Sequence, residues 1–279
     1  MGAQTPASQW LERIVQAKRA ELEHLRAEVP QSDLESKVAP RPGGVFRNAL
    51  LERRQGQTEF AIIAELKKAS PSRGILCAGE YGPPAIARSY EQAGARALSV
   101  LTDKEFFLGS LEDLQQAKAS SSLPVLRKDF TLAEYHVYEA AIARADAILL
   151  IVAILQPAEL ASLLRLSRSL GLDALVEVHT REELQAAIDA GSDLIGVNNR
   201  NLKTFEVSLN TSFELIDSIS DSVVAVSESG LRSAKDLEQL RAAGYDAFLI
   251  GERFMTEQDP GIALKTMLAG VGARVPVTS

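Results

Sequence analysis

Short runs that are almost wholly apolar recur along the chain: FAIIAEL from Phe60, ALSVL from Ala97, LPVLRK from Leu123, DAILLIV from Asp146 and DALVEV from Asp173, then DLIGVN from Asp193, SVVAVSE from Ser222 and DAFLIG from Asp246. Runs apolar at consecutive positions predict strands buried on both faces, and the stretches between them are long enough for crossover helices, so the sheet is parallel. The intervening segments PPAIARSYEQAG, LAEYHVYEAAIA, PAELASLLRLSRSLG, REELQAAIDAG and SAKDLEQLRAAG repeat apolar residues at three and four spacing. Each can lay one helical face on a sheet. Gly94, Gly171, Gly191 and Gly244 stand just before the next strand, where a left-handed cap reverses the chain. Pro83, Pro84 and Pro157 mark helix starts.

Eight strands in βα alternation over 279 residues predict a (β/α)8 barrel of the α/β class. An open doubly wound sheet is the competing topology, but the dinucleotide fingerprint expected after its first strand is absent. Before the barrel, Trp10, Leu11, Ile14, Val15, Leu22 and Leu25 form the apolar stripe of a helix, followed by the turn-forming PRPGG at Pro40 to Gly44. Residues 1–45 are therefore expected to be a helical extension, either plugging the barrel or capping its mouth, and 46–279 a single catalytic barrel.

Composition narrows the partners. Thirty Lys and Arg against thirty-seven Asp and Glu give a formal charge of −7, which argues against a phosphate-tracking nucleic-acid surface. An anionic ligand must then meet a local positive site. Asp146 interrupts the longest apolar run, Ala145 to Leu155, well short of a membrane span. The N-terminus carries no basic-then-apolar secretory pattern, and one cysteine, Cys77, suits a reducing compartment. A cytoplasmic location is expected. With His24, His136 and His179 scattered, no metal site is expected.

Side chains alternate along a strand, so Ile63, Glu65 and Lys67 share a face, as do Leu126, Lys128 and Phe130, and Leu175, Glu177 and His179. Val224, Val226 and Glu228 repeat the pattern. Each core-facing row ends in an ionisable group, which places Glu65, Lys67, Lys128, Glu177 and Glu228 around one mouth, where barrels of this kind carry their chemistry. Any one of these could simply pair or face solvent, but gathering three carboxylates and two lysines costs desolvation unless the array has a use. It suits acid–base work on an anionic substrate. Arg127 and Asp129 have the opposite parity and are expected in structural ion pairs facing the helices; His179 is expected to cap the next helix, a structural role. Glycines in ESG at Glu228 to Gly230 and IGE at Ile250 to Glu252 follow strands seven and eight, where barrels bind phosphate through backbone N–H groups. SPSRG at Ser70 to Gly74 adds hydroxyls and a cation after strand one.

Together ELKKASPSRG, SVLTDKEFFLGS, LRKDF, LLIVAIL, LVEVH, GVNNRNLKTFEV, SESG and LIGE closely resemble the indole-3-glycerol phosphate synthase family of tryptophan biosynthesis, from the N-terminal helix to the eighth strand. The resemblance implies a carboxy-lyase that closes the pyrrole ring of 1-(o-carboxyphenylamino)-1-deoxyribulose 5-phosphate, losing carbon dioxide and water without a cofactor. It implies Lys128 as the acid of ring closure, with Glu65, Lys67 and Glu177 at the other catalytic positions. Asn198, Arg200, Glu228 and Ser229 match substrate-positioning groups, Phe130 and Leu149 an apolar wall, and Ser70, Gly230, Gly251 and Glu252 the phosphate side, Glu252 through its backbone N–H. Arg200, with its forked donors, is the candidate for the substrate carboxylate. The expected partner is a small phosphorylated substrate, with no nucleic acid or membrane; the expected state is a monomer, other enzymes of the pathway being candidate partners. A noncatalytic phosphate-binding barrel and phosphoribosylanthranilate isomerase are the alternatives. The intact lysine–glutamate set argues against the first, and the missing cysteine after strand one against the second.

Overall fold

A computed structural model describes residues 10–52, 60–71, 73–77 and 80–271. Eight parallel strands close into a barrel: β1 Ala61–Leu66, β2 Ala97–Leu101, β3 Val125–Lys128, β4 Ala147–Ile151, β5 Asp173–Val178, β6 Leu194–Asn198, β7 Val224–Glu228 and β8 Ala247–Ile250. Neighbours around the ring follow chain order, and β1 closes it by pairing with β8 on one side and β2 on the other. Each strand lies within two residues of its apolar run. The open-sheet alternative is excluded by that closure.

Twelve helices are described: α1 Trp10–Glu28, α2 Gln31–Glu35, α3 Val45–Leu51, α4 Pro83–Ala93, α5 Leu111–Ser120, α6 Glu134–Ile142, α7 Pro157–Ser169, α8 Arg181–Asp189, α9 Asn210–Leu215, α10 Ala234–Ala243, α11 Glu252–Met255 and α12 Pro260–Ala269. The four cap glycines all take positive φ, as their positions required. Some connections depart from the simple alternation: after β1, Ala69–Ser70 pairs antiparallel with Gly74–Ile75. Between β6 and β7 the helix shrinks to six residues because the preceding loop folds on itself, Arg200 bridging to Val207.

Alternation divides the buried residues in two. Ile63, Leu126, Leu149, Leu175, Val226 and Leu249 fill the barrel, whereas Ile62, Leu98, Val125, Ile148, Val176 and Ile195 pack outward against the helices. Phe46 and Leu50 of α3 join the inner group. Their end of the barrel is identified by Asp173, the first residue of β5, whose carboxylate accepts backbone N–H bonds from Gly44, Phe46 and Arg47. α3 thus plugs the floor. α1 lies at the opposite end, where Lys18 reaches Asp103 and Asp129 beyond the ends of β2 and β3. Between them Leu22, Leu34 and Tyr135 pack together beside α6. The leading segment runs from mouth to floor down the outside of the barrel.

Among the described residues no helix is long and apolar enough to cross a membrane.

Candidate active site

A cavity of about 540 Å³ opens at the C-terminal ends of the strands. It collects all fourteen residues singled out from the sequence: Glu65, Lys67, Ser70, Lys128, Phe130, Leu149, Glu177, Asn198, Arg200, Glu228, Ser229, Gly230, Gly251 and Glu252. The reason is the period of two. In each of β1, β3, β5 and β7 the residue two places before the ionisable group is a barrel-interior apolar side chain, so the charge that follows on the same face emerges at the mouth.

The five charged groups pair with one another. Lys67 Nζ lies 2.6 Å from Glu65 Oε1. Lys128 Nζ donates to Glu177 Oε2 at 2.9 Å and stands 3.5 Å from Glu228 Oε2. Burial by itself works against the Lys128 ammonium, yet Glu177, Glu228 and Glu65 together outweigh it and hold its pKa above the ordinary lysine value. Burial likewise opposes the Glu177 carboxylate, but Lys128 and His179 keep it well below the usual range. Glu228 goes the other way. Desolvation, with Glu177 and Glu65 nearby, exceeds the pull of Lys128 and pushes it up to about 8. These opposing pulls favour an ammonium on Lys128, an ionised Glu177 and a proton on Glu228, whose Oε1 is buried without a hydrogen-bond partner. A buried carboxyl in that state can donate a proton to a ligand.

Two glycines make the array possible. A Cβ at Gly196 would collide with Glu228 Oε1, and one at Gly251 with Glu65 Oε1. Gly196 was not singled out from the sequence, where it reads as one more small residue in an apolar strand.

The cavity is polarised by strand order. Phe107 and Phe130, rings 6.2 Å apart, follow β2 and β3; Leu149 and Ile151 lie on β4, and Trp10, Leu11 and Ile14 of α1 complete this apolar side. Ser70 and Arg73 follow β1, Gly230 and Arg232 follow β7, and Gly251 and Glu252 follow β8. The charged pairs lie between these halves. Glu252 turns its carboxylate to two arginines, Arg73 Nε at 3.2 Å and Arg200 Nη2 at 3.4 Å, so the Arg200 fork already has an internal partner. Asn199 is structural: its amide bonds Ser227 and the carbonyls of Glu228 and Ser229, fixing a turn in which Ser229 itself has φ 66°.

Arg127 and Asp129 meet their expectation. Arg127 bonds Asp129, Glu139, Thr102 and the His136 carbonyl on the outer side of the sheet. His179 is not the cap of α8, although its backbone N–H and Nδ1 both engage Glu183 in the first turn of that helix. Thr180 caps α8, accepting from the Glu183 N–H, while the His179 ring stands between Glu177 and Glu183 at the edge of the charged array. Sequence reasoning also passed over Phe107, Arg232 and Lys18. Lys18 carries a signal in retrospect: it continues the Ile14, Leu22 stripe at i+4.

A closed parallel barrel with acids and lysines converging at its C-terminal rim defines a (β/α)8-barrel enzyme built for acid–base chemistry. Residues 11–267 match the family model for indole-3-glycerol phosphate synthase. Proteins bearing that name are similar over nearly the full chain: 43% identical in Carboxydothermus hydrogenoformans, covering 93% of this chain and 100% of that one, and 46% identical in Chloroherpeton thalassium, covering 89% and 95%. The chain belongs to the indole-3-glycerol phosphate synthase family. Solved structures share the fold at low identity. A thiamine phosphate pyrophosphorylase from Pyrococcus furiosus aligns with TM-score 0.57 at 14% identity, over 77% of this chain and 98% of that one. A mandelate oxidase aligns with TM-score 0.57 at 17%, over 90% and 92%.

Proposed function

We propose that this chain is a carboxy-lyase that converts 1-(o-carboxyphenylamino)-1-deoxyribulose 5-phosphate to indole-3-glycerol phosphate, carbon dioxide and water. The observation that carries the reading is the Lys128–Glu177–Glu228 constellation at the strand ends in a chain of this family. The aromatic ring of the substrate lies against Trp10, Phe107, Phe130 and Leu149, and the phosphate meets backbone N–H groups in the turns at Ser229–Gly230 and Gly251–Glu252, with Ser70 beside them. That orientation brings the ribulose carbon atoms between the two halves, over Lys128.

Ring closure needs a carbon of the aromatic ring to attack the ribulose carbonyl, and negative charge gathers on that oxygen. Lys128 donates its proton there. Glu177, Glu228 and Glu65 hold that proton on Lys128, so it becomes available as substrate draws the ammonium away from them. Glu177 remains ionised and serves as base in the later steps. Lys67 and Glu65, paired to each other, are the remaining acid and base for expelling water. Glu228, protonated, and Asn198 orient the substrate hydroxyls, and Arg200 takes the substrate carboxylate once released from Glu252. Residues 1–45 act as a cap through α1, while α3 belongs with the barrel it plugs. The substrate is the only partner this reading requires.

Adding the ribulose substrate to purified protein and following the fluorescence of the indole product tests the reading. A steady rise that depends on the protein is the expected result; no product at substrate saturation overturns it.

A further inference from the structure

We propose that His179 is a positioning residue: its ring, clamped by Glu183, holds one oxygen of Glu177 so that the other stays directed at Lys128.

The geometry is that of a chain of charges. Glu177 Oε2 accepts from Lys128 at 2.9 Å, and Glu177 Oε1 lies 3.4 Å from His179 Nε2. On the far side of the ring, Nδ1 is 3.0 Å from Glu183 Oε2, the same oxygen that accepts the His179 backbone N–H at 2.7 Å. Glu183 is placed by α8, whose first turn is fixed by Thr180. Clamped backbone and ring together leave the imidazole little freedom, and its side chain is only 9% exposed.

Both ring nitrogens face carboxylates, and an imidazole can donate to both only when doubly protonated. Burial alone would lower the pKa of this histidine, but Glu177 and Glu183 outweigh it and raise it to about 9, so the imidazolium form is present at neutral pH. The other charged groups of this chain of contacts are Lys128 of β3, reached through Glu177, and Glu228 of β7, reached through Lys128. The Nε2 contact is at ion-pair range without a formed hydrogen bond, so it acts on Glu177 through charge.

This arrangement has a consequence for the reaction. When Lys128 gives up its proton, Glu177 loses its nearest positive charge, and a buried carboxylate without a cation binds a proton instead. The His179 cation prevents that, leaving Glu177 ionised and able to act as base. The inference rests on the reading of Lys128 and Glu177 as reacting groups.

Three variants test it by steady-state kinetics and by the pH profile of kcat. His179→Asn keeps a donor near Nδ1 and the contact with Glu183 but removes the one toward Glu177. Its kcat is expected to fall about tenfold or more, as for other groups that orient a catalytic residue, with KM within about twofold. The acid limb of its profile moves to higher pH. His179→Gln restores a donor at the Nε2 distance and recovers part of kcat. Glu183→Gln, which retains the Thr180 cap, lowers kcat a few-fold at constant KM and keeps the test open if His179→Asn fails to fold. A folded His179→Asn with kcat within twofold and an unmoved acid limb overturns the proposal, as does an unchanged kcat in Glu183→Gln. Lys128→Met separates the two readings: if it retains normal turnover, the assignment of the reacting groups has failed; if it is inactive while His179→Asn is normal, only the role of His179 has.

Discussion

Lys18 of α1 places its ammonium 3.0 Å from Asp129 Oδ1, and Asp129 is the residue directly after Lys128. Lys18 also lies 3.0 Å from Asp103, and Asp129 continues through Arg127 to Glu139. The helix over the mouth is thus tied by a buried ion pair to the backbone segment that carries the proposed acid, and Arg127 and Lys18 hold the Asp129 pKa well down despite its burial.

Lys18→Met should therefore act on both stability and substrate binding. Removing Lys18 leaves the buried Asp103 without that cation, while Asp129 keeps Arg127, a loss of about 3 kcal/mol. Trp10 is the only tryptophan in the chain and lines the cavity, so its emission reports whether α1 stays seated. The expected outcome is a red-shifted emission and a raised KM; normal emission and KM would mean that α1 docks by its apolar stripe alone.

Lys128→Met keeps the apolar stem and removes the proton. If Lys128 is the acid of ring closure, kcat falls by about 10² or more in single-turnover measurements while binding largely survives. Near-normal turnover in the folded variant would transfer the role to Lys67.

Glu228 provides a pH signature. Its pKa is raised to about 8 in the folded protein against about 4.3 for a free glutamate. Its protonated form is what the fold favours, so its contribution is full below the unfolded value and is lost as pH rises toward 8. Wild-type stability relative to Glu228→Gln should accordingly decline between about pH 4.5 and pH 8, by at most about 1.4 kcal/mol per pH unit. Urea unfolding at three pH values in that window measures it, and a difference that grows with pH would contradict the assignment.

Gly196→Ala should be disproportionately harmful for a single methyl group. The new Cβ occupies the space of Glu228 Oε1, so Glu228 must move relative to Lys128. A fall in kcat is expected together with about 1–3 kcal/mol of destabilisation from overpacking. Full activity would show that Glu228 can be displaced without cost.

Chelation should leave turnover intact, because Lys67 and Lys128 supply positive charge among the three carboxylates. A loss with EDTA that added Mg²⁺ reverses would require a metal in the reaction.

Much of this was legible in the chain. A strand buried on both faces requires consecutive apolar residues, and the period of two then decides the direction of every side chain, so Glu65, Lys128, Glu177 and Glu228 could be assigned to the mouth and Arg127 to the helices from local parity alone. What parity cannot give is distance between elements far apart in sequence. Lys18 meets Asp129 across more than a hundred residues, Lys128 meets Glu177 across two intervening helices, and Gly196 matters only because Glu228 extends across from the neighbouring strand. The charge states belong to the same category. Lys128 is held above its ordinary pKa and Glu228 is kept protonated by the balance of desolvation against several neighbouring charges, and that balance exists only once barrel closure has brought β1, β3, β5 and β7 to a common rim.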